Sequence, residues 1–276
     1  MYRGLRVAVV IPAHNEERLL PVTLRGLPAF VDHVIVVDDA STDATARVAR
    51  RRGRWSLEVI RHPHNLGVGG AIVTGYRRAL ALGVDATVVV GADAQMDPQE
   101  MPRLLDPLVS GEADYVKGNR LGHPEVWRRM PRVRLLGNLA LSWMTQFSSG
   151  YKGLRDSQCG YTALGRASLA RLPLGDLYPR YGFPNDLLAK LAEVGARVVD
   201  RPVTPIYADE RSGLRVSRVA WPIFWLLVRS GTRRVVRRWT TRARAVPARA
   251  PVAPARRSAA TSTAPQAILS MAEDFR

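Results

Sequence analysis

VVVGADAQMDP, residues 88–98, joins an apolar run to a cluster of two carboxylates and one carboxamide. The run Val88–Val90 predicts a buried strand, because short apolar runs bounded by Gly and Pro are typical of strands in a sheet core. Asp93, Gln95 and Asp97 would then lie at the end of that strand or just beyond it. A polar turn that ends the strand is the simplest interpretation, and a binding site is the alternative.

Composition indicates one sizeable α/β domain with an appendage. The chain has 276 residues, 46% of them hydrophobic. Its single cysteine, Cys159, excludes an internal disulfide, fits a reducing compartment, and is interpreted as a small buried hydrophobe. The first residues, MYRGLRVAVVIP, lack the apolar length of a signal peptide. These features predict a cytoplasmic protein.

The positive charge is concentrated in the C-terminal part of the chain. Net charge is +17, and residues 213–272 contain twelve arginines and no acidic residue. A basic tail attracts any polyanion, so nucleic acid and an anionic membrane surface are both possible partners at this point.

Apolar runs alternate with helical patterns along the first half of the chain. The predicted strands are VAVVIP (7–12), HVIVVDD (33–39), LEVIRH (57–62), ATVVVGAD (86–93) and ADYVKGN (113–119). The predicted helices are EERLLPVTLRGLPAF, TDATARVARRRG and GGAIVTGYRRALALG. This alternation predicts an α/β fold with a mainly parallel sheet that has helices on both faces.

Polar side chains follow four of these strands. His14, Asn15 and Glu16 follow the first strand; Asp38 and Asp39 the second; Asn65 the third; Asp93 and Gln95 the fourth. Ligands of such sheets bind beyond the carboxyl ends of the strands. Four polar clusters at one edge therefore favour a binding site over four unrelated turns.

Taken in order, the motifs resemble those of the inverting glycosyltransferases of family 2. They are VVIPAHNEE (9–17), VIVVDDASTDAT (34–45), NLGVGGAIVTGY (65–76), GADAQMDP (91–98), KGNR (117–120), DSQCGYTA (156–163), FPNDLL (183–188) and DERSGLRVS (209–217). The resemblance covers about residues 5–240 and is greatest with the polyprenyl-phosphate branch, which includes dolichyl-phosphate mannose synthases. It implies a Rossmann-like GT-A fold.

The resemblance implies a divalent metal, Mg²⁺ or Mn²⁺, beside the diphosphate of a nucleotide-sugar. Asp93 and Gln95 match the metal-binding end of the family's DxD-type motif, while Gly91 stands where the first Asp would be. One carboxylate fewer predicts a weak metal site completed by phosphate and water. Asp97 is a possible helper around this site.

The resemblance also assigns the nucleotide site. Asp39 would contact the base, since a carboxylate accepts the ring N–H of uracil or guanine, and Asp38 is a second candidate. Pro12, Asn15 and Glu16 would shape the pocket, and Asp93 would lie against the donor. The alternative for the DASTD segment is a helix N-cap at Ser41 or Thr42. His62 and His64 match no metal-ligand pattern and are interpreted as loop residues.

The acceptor of this branch is a phosphate, which is already anionic at neutral pH and needs positioning more than deprotonation. Arginines are suited to binding it. The residues expected at the acceptor are Arg120, Arg134, Gln158, Arg211, Ser212 and Arg215, with Arg132 a weaker candidate. Asp156 is the predicted catalytic residue for a lipid-phosphate acceptor, and Asp186 the predicted base if the acceptor is a neutral hydroxyl.

The C-terminal region predicts a membrane-associating helix followed by a tail. Residues 219–228, VAWPIFWLLV, are too few to span a bilayer. On a helical wheel one side has Trp221, Phe224, Val228, Val235 and Trp239, and another has Arg218, Arg229, Arg233 and Arg237, a pattern typical of an interfacial helix. Packing on the catalytic domain is the alternative. The predicted organisation is a GT-A domain (1–214), an amphipathic helix (215–240) and a disordered Arg/Ala/Pro-rich tail (241–276).

The sequence therefore predicts a metal-dependent hexosyltransferase that acts on a polyprenyl phosphate at the cytoplasmic face of the membrane. The donor would be UDP- or GDP-linked. The nearest alternative keeps the enzyme class but has a sugar, small molecule or lipid hydroxyl as acceptor. A nucleic-acid-binding protein is the remote alternative. It is disfavoured because the basic run has no aromatic stacking platform.

Overall fold

The computed structural model describes residues 1–50, 56–122, 126, 132–206, 228–229 and 231–232 of the chain. Its strands are β1 (Val7–Ala13), β2 (His33–Asp38), β3 (Ser56–Arg61), β4 (Ala86–Val89), β5 (Tyr115–Asn119), β6 (Thr162–Gly165) and β7 (Val198–Pro202). Its helices are α1 (Leu20–Gly26), α2 (Thr45–Ala49), α3 (Val68–Leu82), α4 (Met101–Val109), α5 (Arg132–Ser149), α6 (Arg166–Leu169) and α7 (Phe183–Glu193). Short 3-10 helices cover Pro98–Glu100 and Leu174–Asp176.

The strands form one mixed sheet in the order β3-β2-β1-β4-β6-β5-β7. β6 is antiparallel to both of its neighbours, and the other pairs are parallel. The prediction of a mainly parallel sheet is confirmed. The carboxyl ends of β1, β2, β4, β5 and β7 meet at one edge together with the start of β6, and we call this the carboxyl edge.

Two apolar layers cover the sheet, one on each face. Val7, Val9 and Ile11 of β1 point into a layer that includes side chains of α1 and α4. Ala8 and Val10 point into the opposite layer, which includes side chains of α3 and α7. A central strand buried on both faces has no polar side to show, and this explains the uninterrupted apolar run in its sequence. Cys159 is buried, as predicted.

The GVGG segment at the start of α3 is shaped by close packing. A Cβ on Gly69 would lie 2.6 Å from the carbonyl oxygen of Tyr178, so only glycine fits there. Gly67 has φ of +88°, a backbone conformation that favours glycine. The glycines thus allow α3 to approach the segment that leads into α7.

The structure differs from the sequence interpretation in the bounds of several elements and in the number of strands. α1 begins at Leu20, four residues after the predicted start at Glu16, because residues 14–19 form a loop at the carboxyl edge. β6 and β7 were not among the predicted strands.

Within the described helices, none has the length and apolar character needed to cross a membrane. Most of the predicted amphipathic helix and all of the predicted tail lie outside the described residues.

Candidate active site

The loops after β1 and β2 are joined by hydrogen bonds at the carboxyl edge. The backbone N–H of Asn15 donates to Oγ of Ser41 at 3.0 Å, and Oδ1 of Asn15 accepts from the N–H of Thr42 at 2.8 Å. The N–H of Glu16 donates to Oγ1 of Thr45 at 2.8 Å. Asn15 has φ of +58°, which Asn tolerates better than most residues. The structure therefore brings Asn15 and Glu16 beside the residues that follow β2.

This geometry gives the DASTD segment a role other than the capping alternative. The N-cap of α2 is Ala44, and neither Ser41 nor Thr42 occupies that position. Instead Oδ1 of Asp43 accepts from the N–H of Thr45 at 2.9 Å, and its Oδ2 accepts from the N–H of Glu17 at 3.1 Å. Burial alone would raise the pKa of Asp43, but these hydrogen bonds outweigh it and the pKa is lowered. Pro12, the sixth residue of β1, pairs in register with Val37 beside this loop.

Asp39 organises the entrance to α3. Its Oδ1 accepts the N–H of Leu66 at 2.8 Å and lies 2.7 Å from Nδ1 of His62. Its Oδ2 accepts the N–H of Gly67 at 2.7 Å. A carboxylate oxygen has two lone pairs, so Oδ2 has one acceptor position beyond these contacts. Asp39 is therefore both a loop anchor and a group that can accept one further N–H.

Asp38 is fully buried and faces the other side of the same loop. Its Oδ1 accepts the N–H of Ser41 at 3.0 Å. Its Oδ2 lies 3.2 Å from Nε of Arg61 but makes no hydrogen bond among the described residues. Because the Arg61 side chain is mainly exposed, water screens this ion pair. The contacts are those of a residue that shapes the loop.

His62 lies in the loop after β3, as predicted, but the sequence did not reveal its contacts. It is buried, and its Nε2 lies 2.9 Å from Oγ1 of Thr74. The ring thus connects Asp39 to α3. His14 Nδ1 lies 2.8 Å from the carbonyl oxygen of Asp39. The spacing of the HPHN turn contains no signal for these contacts, because they depend on where α3 returns to the sheet.

The turn after β4 presents Asp93 and Gln95 at the carboxyl edge. Oδ1 of Asp93 accepts the backbone N–H of Gln95 at 3.1 Å, and Ala94 between them has φ of +54°. A Cβ on Gly91 would lie 2.8 Å from Oδ1 of Asp93. The carboxylate therefore folds over the position where the family's first Asp would stand. Asp97 begins the next 3-10 helix, with its Oδ1 accepting the N–H of Gln99 at 2.9 Å.

These donors fit part of a metal site. Asp93 and Gln95 offer a carboxylate and an amide oxygen, the ligands that Mg²⁺ and Mn²⁺ accept. Within the described part of the chain, no group of three or more His, Cys, Asp or Glu side chains is arranged to hold a metal ion. A cation at this turn would therefore take most of its ligands from the bound diphosphate and water.

The segment after β7 returns to the same turn. The N–H of Ile206 donates to the carbonyl oxygen of Gln95 at 3.2 Å. Two residues earlier, the N–H and Oγ1 of Thr204 donate to the Glu100 carboxylate at 2.7 and 3.0 Å. The DERSGLRVS segment thus begins three residues after a contact with the Asp93–Gln95 turn.

Arg120 and Asp156 form a bidentate ion pair just beyond β5. Nε of Arg120 donates to Oδ2 of Asp156 at 2.8 Å, and Nη2 donates to Oδ1 at 3.1 Å. The backbone N–H of Arg120 also donates to Oδ2 at 3.2 Å. Asp156 is fully buried, whereas 22% of the Arg120 side chain is exposed. The buried carboxylate therefore fixes the direction of a partly exposed guanidinium.

The charges around Asp156 keep it ionised. Burial alone would raise its pKa, but Arg120 and then Lys117 outweigh burial and lower the pKa. Lys117 is fully buried; burial lowers its pKa, and Cys159, Asp156 and Asp200 oppose that effect. A carboxylate held in this way is a weak base at neutral pH.

Gln158 and Asn185 connect this turn to two helices. Nε2 of Gln158 donates to Oδ1 of Asn185 at 3.0 Å. Asp186 follows Asn185 in α7, and its Oδ2 accepts the N–H of Tyr178 at 2.9 Å. Burial raises the pKa of Asp186, and the Tyr178 N–H and Lys190 only partly oppose this effect. The raised pKa makes Asp186 a candidate proton acceptor. Asn185, which precedes it in the chain, contacts Gln158.

The side chains of the other predicted acceptor residues lie outside the described part of the chain. Arg132 and Arg134 are in the first turn of α5, but their side chains lie outside the described residues. Arg211, Ser212 and Arg215 also lie outside them. The described site residues thus form two groups at the carboxyl edge. One group consists of the predicted residues that follow β1, β2 and β4. The other consists of Arg120, Asp156 and Gln158.

Comparisons with known proteins agree with this architecture. The model of glycosyl transferase family 2 matches residues 8–172. A UDP-N-acetylglucosamine--dolichyl-phosphate N-acetylglucosaminyltransferase of Methanococcus voltae is 29% identical over 218 residues, 74% of this chain and 86% of that protein. An undecaprenyl-phosphate mannosyltransferase of Micrococcus luteus is 34% identical over 205 residues, 72% of this chain and 83% of that protein.

A solved structure extends the comparison to the fold. Glucosyl-3-phosphoglycerate synthase of Mycobacterium tuberculosis, crystallised with Mn²⁺, UDP and phosphoglyceric acid, superposes with a TM-score of 0.65. The match covers 83% of this chain and 79% of that chain at 22% identity. At this identity the similarity establishes a GT-A-like fold and no more.

Proposed function

The chain belongs to glycosyl transferase family 2, and from this membership we propose that it transfers a hexose, with inversion, from a nucleotide-sugar to a polyprenyl phosphate. The main support is the Arg120–Asp156 pair at the carboxyl edge, which holds a partly exposed guanidinium suited to binding an anionic acceptor. The names of the relatives support the same acceptor class, since dolichyl and undecaprenyl phosphates are both polyprenyl phosphates.

The donor is a UDP- or GDP-sugar bound by the loops after β1, β2 and β4. The unused lone pair on Oδ2 of Asp39 accepts the ring N–H of the base, and Pro12, Asn15 and Glu16 line the pocket. Asp38 supports the loop through its contact with Ser41. The anchoring of Asp39 by backbone N–H groups supports this role, because an acceptor held in place loses little freedom on binding.

Asp93 and Gln95 hold the divalent ion, Mg²⁺ or Mn²⁺, that this function requires. When bound, the ion would neutralise charge on the diphosphate leaving group. Asp93 keeps its carboxylate at the turn through the N–H of Gln95, and Gln95 offers its amide oxygen. The absence of a second carboxylate at Gly91 makes ion binding weak until the donor is present.

The acceptor phosphate is bound rather than deprotonated. Arg120, whose side chain is 22% exposed, would supply positive charge to the phosphate, and Arg134, Arg211, Ser212 and Arg215 are proposed as further phosphate-binding residues from the sequence. Gln158 is fixed at the acceptor side by Asn185. Asp156 acts through Arg120, since its lowered pKa makes it unsuited to accept a proton at neutral pH. A phosphate oxygen then attacks the sugar opposite the leaving group, which gives inversion.

We further propose that the amphipathic helix predicted for residues 215–240, most of which lie outside the described residues, keeps the enzyme on the cytoplasmic face of the cell membrane. The support is in the sequence, where an apolar side and an arginine side alternate at helical spacing. A peripheral enzyme of this kind meets a lipid-linked acceptor within the plane of the membrane.

A hydroxyl acceptor is the second candidate function, and Asp186 supports it. An alcohol, unlike a phosphate, must lose a proton, and burial raises the pKa of Asp186 above the ordinary value of an aspartate. The two candidates share the donor site and differ only in the acceptor.

A donor screen tests the proposal. Purified full-length protein is incubated with undecaprenyl phosphate, Mn²⁺ or Mg²⁺, and single UDP- or GDP-sugars, and the products are identified by mass. A hexosyl polyprenyl phosphate from one donor is the expected product. Nucleotide-sugar hydrolysis alone, or no product from any donor, would contradict the proposed acceptor.

A further inference from the structure

Helix α5 exposes apolar side chains and buries polar ones, which is the reverse of an ordinary surface helix. Its buried side chains are hydroxyls: Ser142, Thr145, Ser148 and Ser149. Its exposed side chains are large and apolar: Leu136 (65% exposed), Leu139 (39%), Trp143 (69%) and Phe147 (67%). The exposed set follows i, i+3, i+7 and i+11, the spacing of one helix face. We call these four residues the α5 stripe.

Hydrogen bonds to the acceptor side explain the polar inner face. Oγ of Ser142 accepts the N–H of Ser157 at 3.0 Å, and Oγ1 of Thr145 accepts from Nδ2 of Asn185 at 2.5 Å. Ser157 lies between Asp156 and Gln158 in the sequence. The inner face of α5 is therefore bound to the turn that orients Arg120, and the stripe points away from it.

The length of the stripe and the basic sequence that precedes it are those of a membrane-contacting helix. From Leu136 to Phe147 it runs for about 16 Å at 1.5 Å per residue. Residues 135–149 contain no charged side chain, whereas residues 128–134 contain four arginines. Large apolar side chains next to a basic segment are typical of helices that lie in the headgroup region of an anionic bilayer.

Gly231, in the C-terminal region, lies beside one residue of the stripe. A Cβ built on Gly231 would lie 3.7 Å from Cε1 of Phe147, and Gly231 itself is buried. Gly231 belongs to the sequence in which apolar and arginine sides alternate. The stripe is thus continuous with the region that the sequence assigns to the membrane surface.

We propose that the α5 stripe docks on an anionic lipid bilayer and sets the catalytic domain on the membrane with its acceptor turn near the lipid headgroups. The proposal deepens the proposed function by naming the face of the catalytic domain that meets the membrane. Docking requires neither donor nor acceptor, so it is measured without them, and its failure is distinct from a failure of transfer.

Vesicle sedimentation of the full chain tests the docking. Wild type, the double variant Leu136→Ser/Trp143→Ser, and the control Val22→Ser/Val109→Ser are mixed with phosphatidylglycerol/phosphatidylcholine vesicles that contain no polyprenyl phosphate. The control side chains are also exposed and apolar but lie on α1 and α4. The stripe variant is expected to bind on the order of 10-fold more weakly, because two exposed side chains lose their apolar burial in lipid. The control is expected to bind like wild type.

Further measurements make each outcome decisive. Both variants should keep the wild-type circular dichroism and unfolding midpoint, because only exposed side chains change. The loss should persist at high salt, where attraction between arginines and headgroups is screened. Equal vesicle binding by wild type and the stripe variant would overturn the proposal. So would a stripe variant that changes only the sedimentation coefficient of the free protein, since the stripe would then be an interface between two copies.

Discussion

Replacing Asp156 by Asn is expected to weaken acceptor binding by releasing Arg120. The buried carboxylate takes two guanidinium N–H groups at 2.8 and 3.1 Å and the backbone N–H at 3.2 Å. Asn keeps the shape but presents one acceptor oxygen and no charge. A guanidinium that no longer points at the acceptor loses a charge-assisted hydrogen bond of about 1.5–3 kcal/mol, equivalent to a roughly 10- to 150-fold higher KM for the acceptor.

The same substitution should also destabilise the fold. Breaking a fully buried ion pair costs about 3–5 kcal/mol, but water reaches the exposed part of Arg120, so we expect about 2–3 kcal/mol. The pKa of Asp156 is lowered, so its contribution is fully present above the ordinary Asp value of about 3.9 and is lost as pH falls through the lower folded-state pKa. Urea unfolding from pH 3 to 7 should show that the free energy of unfolding of the variant no longer contains this pH-dependent contribution of Asp156.

Asp114→Asn is the matched control. Asp114 makes the same bidentate pair with Arg197, at 3.0 and 2.9 Å, but the Arg197 side chain is 59% exposed and that of Asp114 is 28% exposed. Its loss should cost less than about 1 kcal/mol and leave the acceptor KM unchanged. Steady-state kinetics over acceptor concentration refute the positioning role if Asp156→Asn lowers kcat with an unchanged acceptor KM, since Asp156 would then act on the reaction itself.

Three further predictions concern two residues of the proposed donor site, Asp93 and Asp39, and the largely buried residue Asp200. Asp93→Asn should keep the fold but lower turnover by on the order of 10²-fold or more, and EDTA should inhibit the native enzyme. Normal turnover in either test would show that Asp93 does not hold a metal ion that the reaction needs. Asp39→Ala should weaken nucleotide binding by about 1–3 kcal/mol in calorimetry with UDP and GDP; unchanged affinity for the nucleotide that binds excludes Asp39 from the base. Burial raises the pKa of Asp200 to about 6, and its Oδ1 has no hydrogen-bond partner among the described residues. Stability should therefore fall as pH rises from about 4 to about 6, and Asp200→Asn should remove that slope and add on the order of 1–3 kcal/mol at pH 7; an unchanged slope would contradict this.

The sequence predicted the central strands because they are buried on both faces. β1, β2 and β4 have no solvent side, so their apolar runs are unbroken and the polar residues after them stand out. β6 has only four residues and is antiparallel, and β7 is partly exposed, so neither has a strong pattern. The polar residues of the carboxyl edge after β1, β2 and β4 were thus predictable, while the contributions of β6 and β7 to the sheet were not.

The partners within the site depended on contacts that are distant in sequence. The prediction of Asp156 as a catalytic residue did not include its ion pair with Arg120, which joins residues 36 positions apart. His62 is a second example, since its contact with Asp39 joins residues 23 positions apart. Residue type and spacing indicate which side chains matter, and only the fold shows which of them hold one another in place.

A parallel assay of undecaprenyl phosphate and undecaprenol tests the proposed function most directly. The full-length enzyme is given the donor found in the screen, equal concentrations of the two lipids in separate reactions, and the products are identified by mass. The expected result is a hexosyl undecaprenyl phosphate and no product from the alcohol, with Asp186→Asn retaining transfer to the phosphate. Transfer to undecaprenol that disappears in Asp186→Asn would contradict a phosphate acceptor and assign Asp186 as the base.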